Sequence, residues 1–316
     1  MVEGRAFPER DRPGPCRDAG PATHPRGAPL MKALVWLDGR IGPHRRATIP
    51  IDDRGFLFGD AVFETLRLDG GRPRALSAHL RRLRRTLRAW HFPRLPWDLA
   101  VAIDDLVRAA RIEDAAVRIT VSRGSGATLA PPPGLVPRVL LVPRPIPPEL
   151  PLLRERGVGV VTLPFGRGPG RLTAGFKTTD YLTAVAGRMV AQRAGAFEAL
   201  YVEAGGLVSE GTTSNVFVVR RGRLYTPPLS AGCLPGVTRA FIMARARHAG
   251  LEVEEAPLPA AGLARCEEAF LTGSVIEVLP VTRIDGAPVG DGRPGPVTRR
   301  LAALCANAWR RERERR

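Results

Sequence analysis

Lysine is nearly absent from this chain. Of its 48 Lys and Arg residues only Lys32 and Lys177 are lysines, leaving 46 arginines. Arginine stays charged in proteins, so almost every cation here is excluded from work that needs a neutral amine. Aromatic residues are also few, with three Tyr and four Trp, and no basic run is interleaved with them. That excludes a base-stacking surface as the main device, despite a formal charge of +17. The arginines are spread along the chain, with local clusters at RRLRRTLR (81–88) and in the sign-alternating tail RRERERR (310–316), so no nucleic-acid partner is expected. Cys16, Cys233, Cys266 and Cys305 show neither CxxC spacing nor paired histidines, which excludes a zinc site and a disulfide framework and points to a reducing cytoplasm. No apolar run approaches the roughly 20 residues of a membrane span, and the N-terminus lacks a signal-peptide core. No membrane partner is expected.

What is present is enough for a sizeable core: 316 residues, 44% of them hydrophobic. Residues 1–30 hold six Pro and four Gly without apolar periodicity and are expected to be disordered, with Met31 as the true start. From there MKALVWLDGRI reads as strand, Asp-Gly turn, strand, and AVFETLRL alternates into a second hairpin. SAHLRRLRRTLRAW has helical spacing, with Ser77 as the predicted N-cap and Leu80, Leu83, Leu87 and Trp90 on one stripe. A helix beginning near Pro96 and two strands complete a small α/β domain over 31–145. The proline-rich stretch PRPIPPELP marks a linker at 146–155, and strands mixed with helices over 156–316 make a larger β-rich domain. The fold class expected is α+β.

GRGPGR (166–171) invites a dinucleotide reading, but no helix follows it, and an ordinary loop explains it. His79 is expected to cap or pack within its helix. VSEGTTSNVF places Glu210 in a turn between strands, for which a polar hairpin is the plain alternative. LPGVTR sets Gly236 before a helix whose first amides, at Val237 and Thr238, are free to meet an anion. LTGSVIEV offers the Gly273–Ser274 turn for a phosphate, and no metal site is expected. One deprotonatable amine, one carboxylate and two anion-grade turns form the inventory of a pyridoxal phosphate site.

These stretches resemble the fold-type IV pyridoxal-phosphate enzymes, the class IV aminotransferase family of branched-chain and D-amino-acid transaminases and aminodeoxychorismate lyase. DRGFLFGDAVFETLR, HLRRL, the lysine segment AGFKTTDYL, EGTTSNVF, LPGVTR and LTGSVIEVLPV occur in the family's order across residues 34–305. The resemblance implies a two-domain α+β fold with pyridoxal 5′-phosphate at the domain interface, and a homodimer. It gives Lys177 as the catalytic Schiff-base lysine and Glu210 as the partner of the ring nitrogen. Arg82, Val237, Thr238 and Ser274 match the phosphate cup, and Tyr181 the phenol near the ring oxygen. Phe63, Arg118, Ser274 and Val275 match the substrate side.

The substrate is less legible. SGATLAPPPG lacks the basic carboxylate trap of D-amino-acid transaminases, and Phe63 stands where those enzymes carry tyrosine, which argues against D-amino acids. Arg118 matches an arginine of the branched-chain enzymes, although a solvent-facing strand arginine is the alternative. VSRGSG and LSAHLRRL look most like aminodeoxychorismate lyase, whereas Glu277 looks more like the transaminases. The reading is amino transfer between a branched-chain or similar L-amino acid and a 2-oxo acid. The lyase is its alternative, and a non-catalytic basic binding protein stands outside both.

Overall fold

Strands β1 (Leu34–Leu37) and β2 (Arg40–Pro43) are joined by Asp38 and Gly39, both at positive φ (47° and 87°), the mirror-image turn whose twist suits a two-residue hairpin. The structure is a computed structural model that describes residues 34–168 and 170–314. The extension 1–30, Met31 as a start and Lys32 therefore lie outside the described residues. After helix α1 (Arg54–Phe58) come β3 (Ala61–Asp69), β4 (Arg72–Pro73), helices α2 (Leu76–Ala89) and α3 (Leu99–Ala110), β5 (Ala115–Ser122) and β6 (Arg138–Arg144). The six strands form one sheet in the order β2-β1-β6-β5-β3-β4. The helical stripe Leu80, Leu83, Leu87 is buried with Ile103 and Leu106 of α3 against Val62, Leu66 and Leu68 of β3. Each such side chain contributes roughly 1.5–3 kcal/mol on burial.

One boundary differs from expectation. Helix α2 starts behind Ala75, which lies in the left-handed region (φ 49°) with no side-chain cap, and Ser77 sits inside the first turn. The hairpin returns Arg74 to the sheet, where its amide donates to the Arg67 carbonyl at 2.9 Å, so the chain has to reverse at Ala75.

The expected linker is also partly regular. Helix α4 (Leu150–Arg156) occupies its second half, with proline in the first turn, where a missing N–H is tolerated, and with Leu150 buried. Beyond it lie β7 (Val158–Leu163), α5 (Leu182–Arg193), β8 (Glu198–Glu203), β9 (Leu207–Gly211), β10 (Asn215–Arg220) and β11 (Arg223–Thr226). Then follow α6 (Val237–His248), β12 (Val253–Glu255), β13 (Leu258–Pro259), β14 (Glu268–Gly273), β15 (Glu277–Ile284), β16 (Ala287–Pro288) and α7 (Pro296–Glu314). Ten strands form a second sheet in the order β12-β11-β10-β14-β15-β7-β8-β9-β13, with β16 on β15. Phe217 and Phe270 stack at 5.0 Å on the face covered by α6 and α7, while Val216, Val218, Leu271 and Leu279 fill the other. Strands buried on both faces read as continuous apolar runs, as NVFVV does. The fold is α+β, with a smaller N-terminal sheet and a larger second one.

One segment of the second half joins the first sheet. The start of β3 has a free edge because β4 pairs only with its end. Residues 177–179 take that edge: the Phe63 amide donates to the Lys177 carbonyl, and the Thr179 amide to the Ala61 carbonyl, each at 2.9 Å. Among the described residues no helix is long and apolar enough to cross a membrane.

Candidate active site

A cavity of about 390 Å³ opens where the two sheets meet, and all ten predicted site residues line it: Phe63, Arg82, Arg118, Lys177, Tyr181, Glu210, Val237, Thr238, Ser274 and Val275. Strand geometry explains the positions of Phe63 and Arg118. Alternation along β3 turns Val62, Glu64 and Leu66 toward α2 and leaves Phe63 and Thr65 on the cavity side. On β5, Arg118 pairs with Thr65 and its guanidinium lies 3.6 Å from the centre of the Phe63 ring. Its Nε donates to Thr120 at 3.2 Å, and among the described residues no carboxylate pairs with it. Burial lowers its pKa.

Lys177 projects from the segment pinned to β3. Its Nζ lies 4.4 Å from the centre of the Phe63 ring and donates to the Tyr181 hydroxyl at 3.5 Å. Burial, followed by the neighbouring Arg82 charge, draws its pKa down to about 8. The Tyr181 ring stands edge-on to Phe63 at 5.1 Å, and burial raises its phenol.

Glu210 lies within β9 rather than in the predicted turn, because β9 runs on to Gly211 and the reversal falls at 212–214. Its carboxylate accepts from the Leu234 amide at 2.9 Å and from Asn215 Nδ2 at 3.4 Å, and Arg167 stands 3.5 Å away. Burial outweighs these contacts and raises it to about 7. Helix α6 begins behind Gly236 without a side-chain cap, so its first amides are open to the cavity. Glycine is required at 236 because a Cβ there would run into the Asn215 side chain.

A group that was not predicted stands behind the cavity. Arg82 donates to Glu64 through both Nε and a terminal nitrogen, each at 2.7 Å, and to the Pro235 carbonyl at 3.0 Å. His79 Nδ1 reaches Glu64 at 2.8 Å, and its Nε2 lies 3.5 Å from Ser274 Oγ. Burial pushes Glu64 up, but the hydrogen bonds from Arg82 and His79 outweigh it and hold the carboxyl at about 2. His79 thus packs as expected while linking the two halves. A charged residue on the otherwise apolar face Val62, Leu66, Leu68 was the signal for Glu64. Arg167 was hidden in GRGPGR, whose residues 166–168 belong to no helix or strand. Glu203 accepts the Arg167 and Gly168 amides at 3.1 and 2.8 Å and so aims the Arg167 side chain at Glu210.

The family model for amino-transferase class IV matches residues 61–284. The chain is 32% identical over 271 residues to a putative branched-chain-amino-acid aminotransferase of Methanocaldococcus jannaschii, covering 84% of this chain and 93% of that protein. It is 32% identical to the D-alanine aminotransferase of Bacillus licheniformis (87% and 96% covered) and 33% identical to the aminodeoxychorismate lyase of Bacillus subtilis (86% and 93%). Among solved structures, the branched-chain amino acid aminotransferase of Thermobaculum terrenum in its PLP-form (holo-form) superposes with a TM-score of 0.78 at 27% identity, covering 87% of this chain and 93% of that one.

Proposed function

We propose, since the chain belongs to the class IV aminotransferase family, that it moves an amino group between a branched-chain or similar L-amino acid and a 2-oxo acid, with pyridoxal 5′-phosphate as cofactor. The observation that carries this reading is the pairing in one cavity of a lysine lowered to about 8 with a buried carboxylate at Glu210.

The residues present fit the cofactor. Thr272 Oγ1 is buried at the cavity with no hydrogen-bond partner among the described residues, and the open N-terminus of α6 adds amides suited to a phosphate. Arg82 supplies a fixed positive charge there, its direction set by Glu64. When bound, the cofactor supplies a ring that stores the electron pair released at the substrate α-carbon. Glu210 would hold a proton on the ring nitrogen, and Tyr181 would donate to the ring oxygen. Lys177 would anchor the cofactor through Nζ and, once free, carry the α-proton, a task its lowered pKa favours. Phe63 and Val275 give the substrate side chain apolar walls, and Arg118, which has no carboxylate partner among the described residues, would bind a substrate carboxylate.

Purified protein should show a visible absorbance band that borohydride abolishes and that Lys177→Ala lacks, and it should exchange amino groups between leucine and 2-oxoglutarate. A second reading, aminodeoxychorismate lyase, is supported by the 33% identity to that enzyme and by the cationic lining of Arg118, Arg167 and Arg188. Pyruvate release from aminodeoxychorismate without leucine transamination would replace the first reading with the second. A homodimer is supported by the exposed apolar run Ile51, Phe56, Leu57 and Phe58, the first two at 84% and 73%; a monomeric mass by light scattering would oppose it. We assign the protein to the cytoplasm, a reading supported by the free buried thiols of Cys233, Cys266 and Cys305.

A further inference from the structure

The hairpin that brings Ser274 and Val275 to the cavity breaks a backbone rule. Gly273 and Glu277 are its last paired residues, which leaves the three-residue loop 274–276. A loop of that length is closed by a residue in the left-handed region, where glycine is the usual choice. Here the residue is Glu277, at φ 57°. An L side chain is strained at that φ, and such a departure from local rules points to a role for the side chain.

The Glu277 carboxylate draws in three arginines from three segments. It pairs with Arg74 behind β4, lies 2.9 Å from Arg154 of α4, and lies 4.0 Å from Arg67 of β3. Burial, then the Arg67 and Arg74 charges, lowers Arg154 to about 10, so Glu277 offsets a crowded positive site. Arg154 also donates to the Val275 and Ile276 carbonyls at 3.1 and 3.2 Å. In a trans peptide the carbonyl and the following amide point opposite ways, so both carbonyls turned to Arg154 aim the amides of Ile276 and Glu277 away from it. Ser274, Val275 and Ile276 line the cavity.

We propose that Glu277, acting through Arg154, is a positioning residue that fixes the 274–276 loop for the anionic group of the cofactor. This rests on the cofactor reading above. A Glu277 with no such role would be replaced by glycine at no loss of binding, because glycine relieves the backbone strain.

The test titrates apo-protein with pyridoxal 5′-phosphate and separately with pyridoxal, following the visible absorbance, for the wild type, Glu277→Gly and Arg154→Met, alongside thermal melts. Both variants should bind the phosphorylated compound about tenfold more weakly or worse, as a slightly loosened site does, while binding of pyridoxal changes much less. Unchanged affinity for pyridoxal 5′-phosphate in either folded variant, with or without a lowered melting temperature, overturns the proposal. If Glu277→Gly does not fold, Arg154→Met decides by the same criterion. A wild type that binds neither compound removes the cofactor reading, and this inference with it.

Discussion

Glu64 and Glu210 are both buried, with side-chain exposures of 1% and 8%, and both act electrostatically on Lys177. Yet Glu64 is held at about 2 while Glu210 rises to about 7. The difference lies in the donors. Glu64 receives two charged hydrogen bonds from Arg82 and one from His79. Glu210 receives one backbone amide, a long contact from Asn215 and an arginine at 3.5 Å. Burial disfavours a carboxylate at both sites, and only the first supplies enough donors to reverse it. A carboxylate fixed in its charge suits holding a guanidinium in place, and one free to titrate suits sharing a proton with a bound base.

Lys177 feels the charge of both carboxylates and carries the proposed chemistry, so its loss has the largest effect. Lys177→Ala should lower turnover by roughly 10³-fold or more, because among the described residues no other lysine lines the cavity. Steady-state rates and loss of the borohydride-sensitive band check this, and near-normal turnover would detach the pair from catalysis.

Glu64→Ala comes next. It leaves Arg82 and His79 in a buried site without their carboxylate, a loss of about 3–5 kcal/mol of stability. Chemical denaturation measures it, and a loss below about 1 kcal/mol would show that solvent replaces the partner.

Glu210→Gln tests the other side. Turnover should fall roughly 10²-fold, about 3 kcal/mol of transition-state stabilisation, while cofactor binding largely persists. In apo-protein the two glutamates also carry opposite pH signatures. Between about pH 2 and 4.5 the unfolded chain keeps a proton on residue 64 that the folded chain has lost, so stability rises with pH. Between 4.5 and about 7 the folded chain keeps a proton on Glu210 that the unfolded chain has lost, so stability falls as pH rises. Each limb is worth roughly 3 kcal/mol at most. Relative to wild type, Glu210→Gln should flatten the falling limb and Glu64→Gln the rising one, as read by melts across pH.

This asymmetry was only half legible in the sequence. Lys177 stood out by composition, Glu210 by its polar surroundings, and the apolar stripe of α2 by its spacing, because each signal lies within a short window. Glu64 needed the pairing of β3 with a helix 15 residues on, which brings His79 and Arg82 to it. Sequence alternation marked the misfit but not its partners. Ser77 failed as a cap because the hairpin, rather than capping preference, set where α2 begins. The pairing of residues 177–179 with β3 joins stretches more than a hundred residues apart, and no local pattern announces it.

Arg167→Met gives the smallest and most selective change. The backbone of its loop is held by Glu203 through the Arg167 and Gly168 amides, and Glu203 also accepts from Ser209 at 2.6 Å, so the loop keeps its anchor when the guanidinium goes. What disappears is the arginine charge nearest Glu210. The carboxyl should then titrate above its present value of about 7, and the falling limb of apo-protein stability should extend to higher pH. Arg167 is 19% exposed and screened in part, so the difference at pH 8 should be about 1 kcal/mol, with none at pH 4, where Glu210 is protonated in either protein. Melts at the two pH values separate charge from packing: an equal loss at both would mean that Arg167 fills space, and the contrast between Glu210 and Glu64 would then rest on burial and neutral donors alone.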